Sequence, residues 1–200
     1  MKVKVPMTGE TDAPPDGRRQ RGEENRRKIV AAFMDFVREG KIGPTAEEIA
    51  ARADVGLRTV FRHFEDMEQL YREIANEIEG QVRPIIERPL TGTSWREKLD
   101  EVIRRRAELF ERIMPFRVAA DVHRHASPTI TARQSDFVQL QRSYLLDVLP
   151  SAIAHDRLRL EALDLASSYE AWRRLRHEQQ LSPADAEHVM GLTIHHLVAE

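Results

Sequence analysis

GLRTVFRHF, residues 56–64, places two arginines, a histidine and two phenylalanines in nine positions. Leu57, Val60, Phe61 and Phe64 fall at i, i+3, i+4 and i+7, the spacing of one helical stripe, and Arg58, Thr59, Arg62 and His63 fall on the other side. The pattern predicts an amphipathic helix with a buried apolar side and a basic, donor-rich side facing water. A solvated charged face would account for it. The residues just upstream point to a use.

In GPTAEEIAARA, Thr45 and Glu48 have the T-x-x-E spacing of a capping box, which predicts a second helix over about 46–52 with Ile49 and Ala50 turned inward. Ala53, Asp54 and Val55 then separate it from the quoted helix. Two short helices joined by so brief a turn, the second amphipathic and basic, match the helix-turn-helix, whose second helix enters the DNA major groove. Before them, Ile29, Ala32, Phe33, Phe36 and Val37 line one side of a first helix running from Glu23 and stopped by Gly40. Residues 1–21 are rich in Pro, Gly, Thr and charge and read as a flexible arm. Its basic end, RRQR at 18–21, can lie against a DNA backbone or serve as a solubilising tail.

Charge follows the same division. Residues 18–64 hold 11 Lys/Arg against 7 Asp/Glu, a local +4 within a chain whose net charge is −2. A basic segment is therefore joined to an acidic body, as expected of a module that meets phosphate on one side only. The 200 residues include no cysteine, which excludes disulfides, thiolate metal sites and a cysteine nucleophile. No stretch approaches the roughly 20 apolar residues that span a bilayer, and the first twenty lack a signal-peptide core, so a cytoplasmic protein with no membrane partner is expected.

From Met67 onward every periodic stretch is helical. Asp66 and Gln69 open a helix to about Arg88 with Leu70, Ile74, Ile78, Val82 and Ile85 inside. Ser94 and Glu97 cap another, which Pro115 is expected to break before a shorter segment around Val118 and Val122. Ser127-Pro128 starts a helix bearing Phe137, Leu140, Tyr144 and Leu145, closed by Pro150. Two last helices, about 157–178 and 183–199, put Leu158, Ala162, Leu165, Tyr169 and Trp172 on one stripe and Ala186, Val189, Met190, Thr193 and Leu197 on another. The reading is an all-α protein of about nine helices.

Catalytic and metal constellations are not evident. His123 and His125 point about 200° apart on a helix, and His188 and His195 lie two turns, about 10 Å, apart, so neither pair closes on one ion alone. No HExxH, G-x-S-x-G, P-loop or dinucleotide glycine motif is present. No catalytic residue, metal or cofactor is expected. Arg106 falls on an apolar stripe with Leu99, Ile103 and Phe110, so its charge either pairs with a buried acid or faces a cavity.

VGLRTVFRHFEDMEQLYREI, with EIA at 48–50 before it, resembles the DNA-binding signature of the TetR family of bacterial transcription regulators over residues 25–74. EAWRRLRHEQQLSPADAEHVM, residues 170–190, is similar to the family's late dimerisation region. The resemblance implies a flexible arm at 1–21, a helix-turn-helix domain at 22–66 and a ligand-binding and dimerisation domain at 67–200. It implies a ligand-responsive regulator of repressor type that binds a palindromic double-stranded operator as a homodimer through its two C-terminal helices and is released by a small-molecule effector. DNA contacts are then expected from Thr45, Gly56 and Leu57, from Arg58 and Thr59 at base edges, and from Phe61, Arg62 and His63 near the backbone. The middle helices would enclose the effector, with Ile78, Val82, Ile103 and Arg106, and Phe110, Phe116, Tyr144 and Trp172, as candidate lining. Phe61 stands where the family usually has a phosphate-touching tyrosine, Gly56 where a serine often caps, Met67 where a lysine is common, and Arg58 where glycine is frequent. Phe61 and Met67 each remove a phosphate contact, which keeps open an all-α enzyme or small-molecule carrier that retains the helix-turn-helix only as structure.

Overall fold

Capping side chains set where most of the helices start. The computed structural model describes residues 17–64, 67–121 and 127–199. In order, the helices are α1 Gly17–Arg38, α2 Ala46–Arg52, α3 Leu57–His63, α4 Met67–Ile86, α5 Trp95–Asp121 and α6 Pro128–Val148. They continue with α7 Ser151–Ala154, α8 Arg157–Ala166, α9 Tyr169–Arg173, which runs on as a π-helical turn Arg174–Glu178, and α10 Pro183–Val198. No strand occurs among the described residues, so the protein is all-α. None of these helices is long and apolar enough to cross a membrane. Residues 1–16 of the expected arm, the Asp66 helix start, the Met67 side chain, and Val122, His123 and His125 lie outside the described residues.

The predicted capping box is present: the Glu48 N–H donates to Thr45 Oγ1 at 3.3 Å and the Thr45 N–H donates to Glu48 Oε2 at 3.0 Å. Gly40 ends α1 at φ +85°, where the Lys41 N–H reaches back to the Phe36 carbonyl at 2.9 Å, the close of a helix that only a residue without Cβ makes free of strain. Between α2 and α3, Asp54 takes the same left-handed conformation at φ +52°, which a short polar side chain tolerates. That single residue sets the sharp turn of the helix-turn-helix.

Four expectations change. Helix α1 begins at Gly17, so residues 17–21 are helical. Pro115 does not break α5, which runs through to Asp121. Ile113, Phe116 and Ala119 are all buried beyond and around it, and that continued apolar stripe outweighs the one backbone hydrogen bond a proline removes. The helix expected over 157–178 is divided at Ser167-Ser168, where Ser168 Oγ accepts from the Ala171 N–H at 3.1 Å and starts α9. The division rotates α8 against α9, so Leu158 and Leu165 are 80% and 69% exposed while Tyr169 and Trp172 are buried. The short α7 after Pro150 has too few residues to show a period.

The apolar residues form two clusters. One joins Ile29, Phe33, Ile49, Val60 and Phe64 of the first three helices to Leu70 and Ile74 of α4 and Phe116 and Ala119 of α5. The other fills the body around Phe110, Leu145, Leu163, Trp172, Met190 and Ile194. The DNA-binding candidate is thus packed onto α4 and the C-terminal half of α5 rather than tethered to them.

Candidate nucleic-acid interface and ligand cavity

Helix α3 has only Val60 buried along its length, with Phe64 buried at its C-cap. Leu57 is 37% exposed and Phe61 56% exposed, so half of the expected apolar stripe faces outward. A seven-residue helix lying on α1 and α2 can bury about one residue per turn, and the remaining large apolar side chains stay with the basic face. Arg58 and Arg62 are exposed, and no carboxylate among the described residues pairs with either. Other cations of the same unit are engaged: Arg26 with Glu73 at 2.6 Å, Arg52 with Glu39 at 2.7 Å, and Lys41 with Glu48. Thr45 is exposed but its hydroxyl serves the α2 cap, and Gly56 precedes α3 with no side-chain cap. Thr59 is half-buried.

His63 departs from the expected exposed face. Its Nε2 is buried without a partner among the described residues, and its ring stands where a Cβ at Gly22 on α1 would meet it at 3.8 Å. Burial first, then the neighbouring Arg62 and Arg26 charges, hold its pKa below 6.5. A neutral ring wedged between α1 and α3 positions the helix; it is a poorer phosphate ligand than Arg62.

A cavity of about 620 Å³ opens between α1, α4, α5 and α6. Ile78, Val82, Phe116 and Tyr144, four of the candidate lining residues, are in its walls. Ile103, Phe110 and Trp172 are not; they are at most 4% exposed and belong to the body core. The side of α5 that carries Ile103 and Phe110 packs on the C-terminal helices, Trp172 of α9 among them, and Ile113 and Phe116, further along α5, reach the cavity. Phe33 of α1 also lines it, with its ring set edge-on to Tyr71 of α4 at 6.3 Å. Across one edge Arg133 of α6 donates to Glu79 at 2.6 Å and Asn76 at 2.7 Å, both on α4.

Arg106 fits neither expectation. It is 3% exposed, lines no part of the cavity, and pairs with no carboxylate among the described residues. Its guanidinium donates to the Ser167 carbonyl at 2.9 Å, to Ser167 Oγ, and to the Gln141 carbonyl at 2.5 Å. Burial lowers its pKa to about 10, with Asp164 opposing the shift, so it stays charged at neutral pH. The C-cap carbonyl of α8 at Ser167 and the mid-helix Gln141 carbonyl of α6 take the role an acid would otherwise take, and the arginine ties the α8–α9 break to α5 and α6. Arg83, Arg133 and Arg117 do line the cavity, and of these Arg117 is the one on α5. It follows Pro115, in the segment the sequence reading separated from α5, which is why periodicity did not place it. No group of three His, Asp or Glu among the described residues is placed to hold a metal ion.

Residues 29–74 match the family model described as bacterial regulatory proteins, tetR family. The fold is similar to the crystal structure of a transcriptional regulator from Rhodococcus sp. Rha1, at 18% identity and TM-score 0.67 over 86% of this chain and 95% of that one. It is also similar to a tetR-family transcriptional regulator from Streptomyces coelicolor, at 17% identity and TM-score 0.66 over 88% and 79%. No curated protein sequence matches the chain significantly.

Proposed function

Since residues 29–74 carry the helix-turn-helix of the TetR family, we propose that this chain is a cytoplasmic transcriptional repressor that binds a palindromic operator as a homodimer and is released by a small molecule. The observation that carries the reading is the outward face of α3, where Arg58 and Arg62 are exposed and pair with no acid among the described residues. Free cations on a short helix behind a left-handed turn are what phosphate and base-edge contacts need. In this reading Arg58 reaches base edges from the N-terminal end of α3 and Arg62 holds a phosphate.

Release follows from shared packing. Phe33 and Ile74 belong to the apolar cluster that carries α3, and both line the cavity. A molecule that fits better when α4 and α1 have shifted would carry the recognition helix with them. It would weaken operator binding by no more than its differential affinity for the two states, typically about 1–3 kcal/mol. Exposed leucines on α8 and α10 supply the dimer face. Gel shifts against the DNA flanking the reading frame, at moderate salt, test the reading. A salt-dependent, sequence-preferring complex is expected, and binding no tighter than to random DNA would leave the small-molecule carrier in its place.

A further inference from the structure

The cavity does not stop at its apolar walls. Arg117, Asp121 and Gln134 also line a second, partly open chamber of about 400 Å³, walled further by Tyr169, Glu170 and Arg173 of α9 and by Arg174 and Glu178 of the π-helical turn. The two chambers differ in chemistry: the first is walled mostly by apolar side chains such as Ile74, Val82, Ile113, Phe116 and Phe137, with Arg83 and Arg133 beside the acids Glu79 and Glu87 in the same wall, and the second by charged side chains, Gln134 and one phenol. π-helical turns are rare and concentrate at functional sites, and this one brings two of its residues to the chamber wall.

Tyr169 is 4% exposed, and its hydroxyl is buried with no hydrogen-bond partner among the described residues. Buried polar groups are nearly always paired, so an orphaned hydroxyl on a chamber wall marks a place where an acceptor is missing. Burial pushes its pKa up to about 12, so the group remains a neutral donor. Beside it, the Arg117 guanidinium lies 4.5 Å from the Tyr169 ring centroid and 5.5 Å from that of Phe137. Stacking occupies the faces of the cation and leaves the N–H groups at its edge for an acceptor. Its carboxylate partner, Glu170, stands at 3.4 Å with a side chain 59% exposed, a contact loose enough to be displaced. The chamber's other acids, Asp121 and Glu178, are both held by Arg173 at 3.4 Å.

We propose that the cavity takes an amphipathic carboxylic acid, its apolar body in the larger chamber and its carboxylate received by the Arg117 N–H groups and the Tyr169 hydroxyl. Calling that acid the effector rests on the regulator reading above; its binding does not. Arg117 lies at the junction of the two chambers, so a head group bound there leaves the body only the apolar side to occupy. A bidentate arginine–carboxylate contact joined by a neutral phenol donor discriminates against an ester of the same shape, which carries no charge and leaves both donors poorly matched.

Calorimetric titration of the full chain with dodecanoic acid and with its methyl ester tests the assignment. The acid is expected to bind about tenfold tighter than the ester or better. Arg117→Met should erase that preference while leaving ester affinity within about twofold, the retained ester binding showing that the apolar chamber is intact. Tyr169→Phe, which removes only an unpartnered oxygen, should lower acid affinity several-fold and spare the ester; it carries the test alone if Arg117→Met does not fold. Equal affinity for acid and ester, no binding of either, or a preference that survives both substitutions overturns the proposal. A preference for the acid without any effect on operator binding sinks the effector role and leaves the subsite standing. Operator binding with no preference for the acid does the reverse.

Discussion

The Arg26 guanidinium on α1 donates to Glu73 on α4 at 2.6 Å and lies 5.4 Å from the ring of Phe64, which closes α3. One side chain thereby ties three helices of the DNA-binding unit together. Both members of the ion pair are about one-third exposed, at 31% and 32%, so the pair itself contributes only about 0.2–1 kcal/mol. The ring contact adds about 0.5–1 kcal/mol at such a site. Arg26→Ala should therefore lower unfolding free energy more than Glu73→Ala, which spares the ring. Urea denaturation of both variants and of their double checks this, and equal losses would mean that the Phe64 contact contributes nothing.

Arg58 and Arg62 should separate in their effects on DNA. Arg58→Ala is expected to cost about 1–3 kcal/mol on the preferred sequence and to relax preference at the bases it reaches, whereas Arg62→Ala should weaken all sequences alike and reduce the salt slope by about 1. Phe61 is 56% exposed on the face of α3 proposed to meet DNA, and a phenol there would add a donor for phosphate, so Phe61→Tyr should raise affinity for every sequence alike. Footprinting titrations over a range of salt measure all three. A Phe61→Tyr variant with unchanged affinity would show that Phe61 faces away from the phosphates.

What could be read in the sequence was whatever local chemistry enforces. Thr45 and Glu48 cap α2 as their spacing requires, and Gly40 ends α1 because the left-handed conformation there favours a missing Cβ. Long periodic stripes such as Leu70, Ile74, Val82 and Ile85 were equally legible, since burial of each repeats the same 3.6-residue period. Tertiary packing decided the rest. Pro115 reads as a stop by local rules, yet the partners of Ile113, Phe116 and Ala119 come from α1, α4 and α6, which no window of α5 contains. Ser167-Ser168 carried a start signal for α9 that the apolar residues on both sides concealed. The second chamber depends on Arg117 and Tyr169, 52 positions apart, and nothing in the spacing of either joins them.

Arg106 should behave as a structural group. Arg106→Met removes the donor to the buried Ser167 carbonyl, and leaving a buried acceptor unpaired costs about 1–3 kcal/mol. The loss should appear in chemical denaturation whether or not a ligand is present. A variant that keeps wild-type stability and loses only its response to an acidic ligand would return Arg106 to the cavity.

Acid should weaken the helix-turn-helix through Glu48. Hydrogen bonding from Lys41 and then from the Thr45 backbone holds the Glu48 carboxyl below 4.5. A group whose folded pKa is depressed stabilises the protein above its unfolded value, and that contribution is lost as pH falls through the folded one. Glu48→Gln is therefore expected to melt below the wild type at neutral pH, with the gap closing as pH drops under 4.5. Melting followed by circular dichroism across that range checks the sign, and a gap that widens in acid would contradict it.

Assembly can be tested without dismantling the fold. Deleting residues 157–200 would remove Leu160, Leu163, Trp172, Met190 and Ile194 from the body core, so loss of a dimer in that variant would say nothing about the interface. The residues to change are those the core does not use: Leu158, Leu165 and Leu192 are 80%, 69% and 53% exposed on α8 and α10. Leucines this exposed on adjacent helices are what a second copy can cover, and a four-helix contact there would set two recognition helices about 34–36 Å apart, one turn of DNA. Leu165→Glu with Leu192→Glu places like charges on both copies at that face. The wild type is expected to scatter light as a dimer at micromolar concentration and the double variant as a monomer with unchanged helical content, binding a single half-site at best. A double variant that stays dimeric would move the interface off α8 and α10.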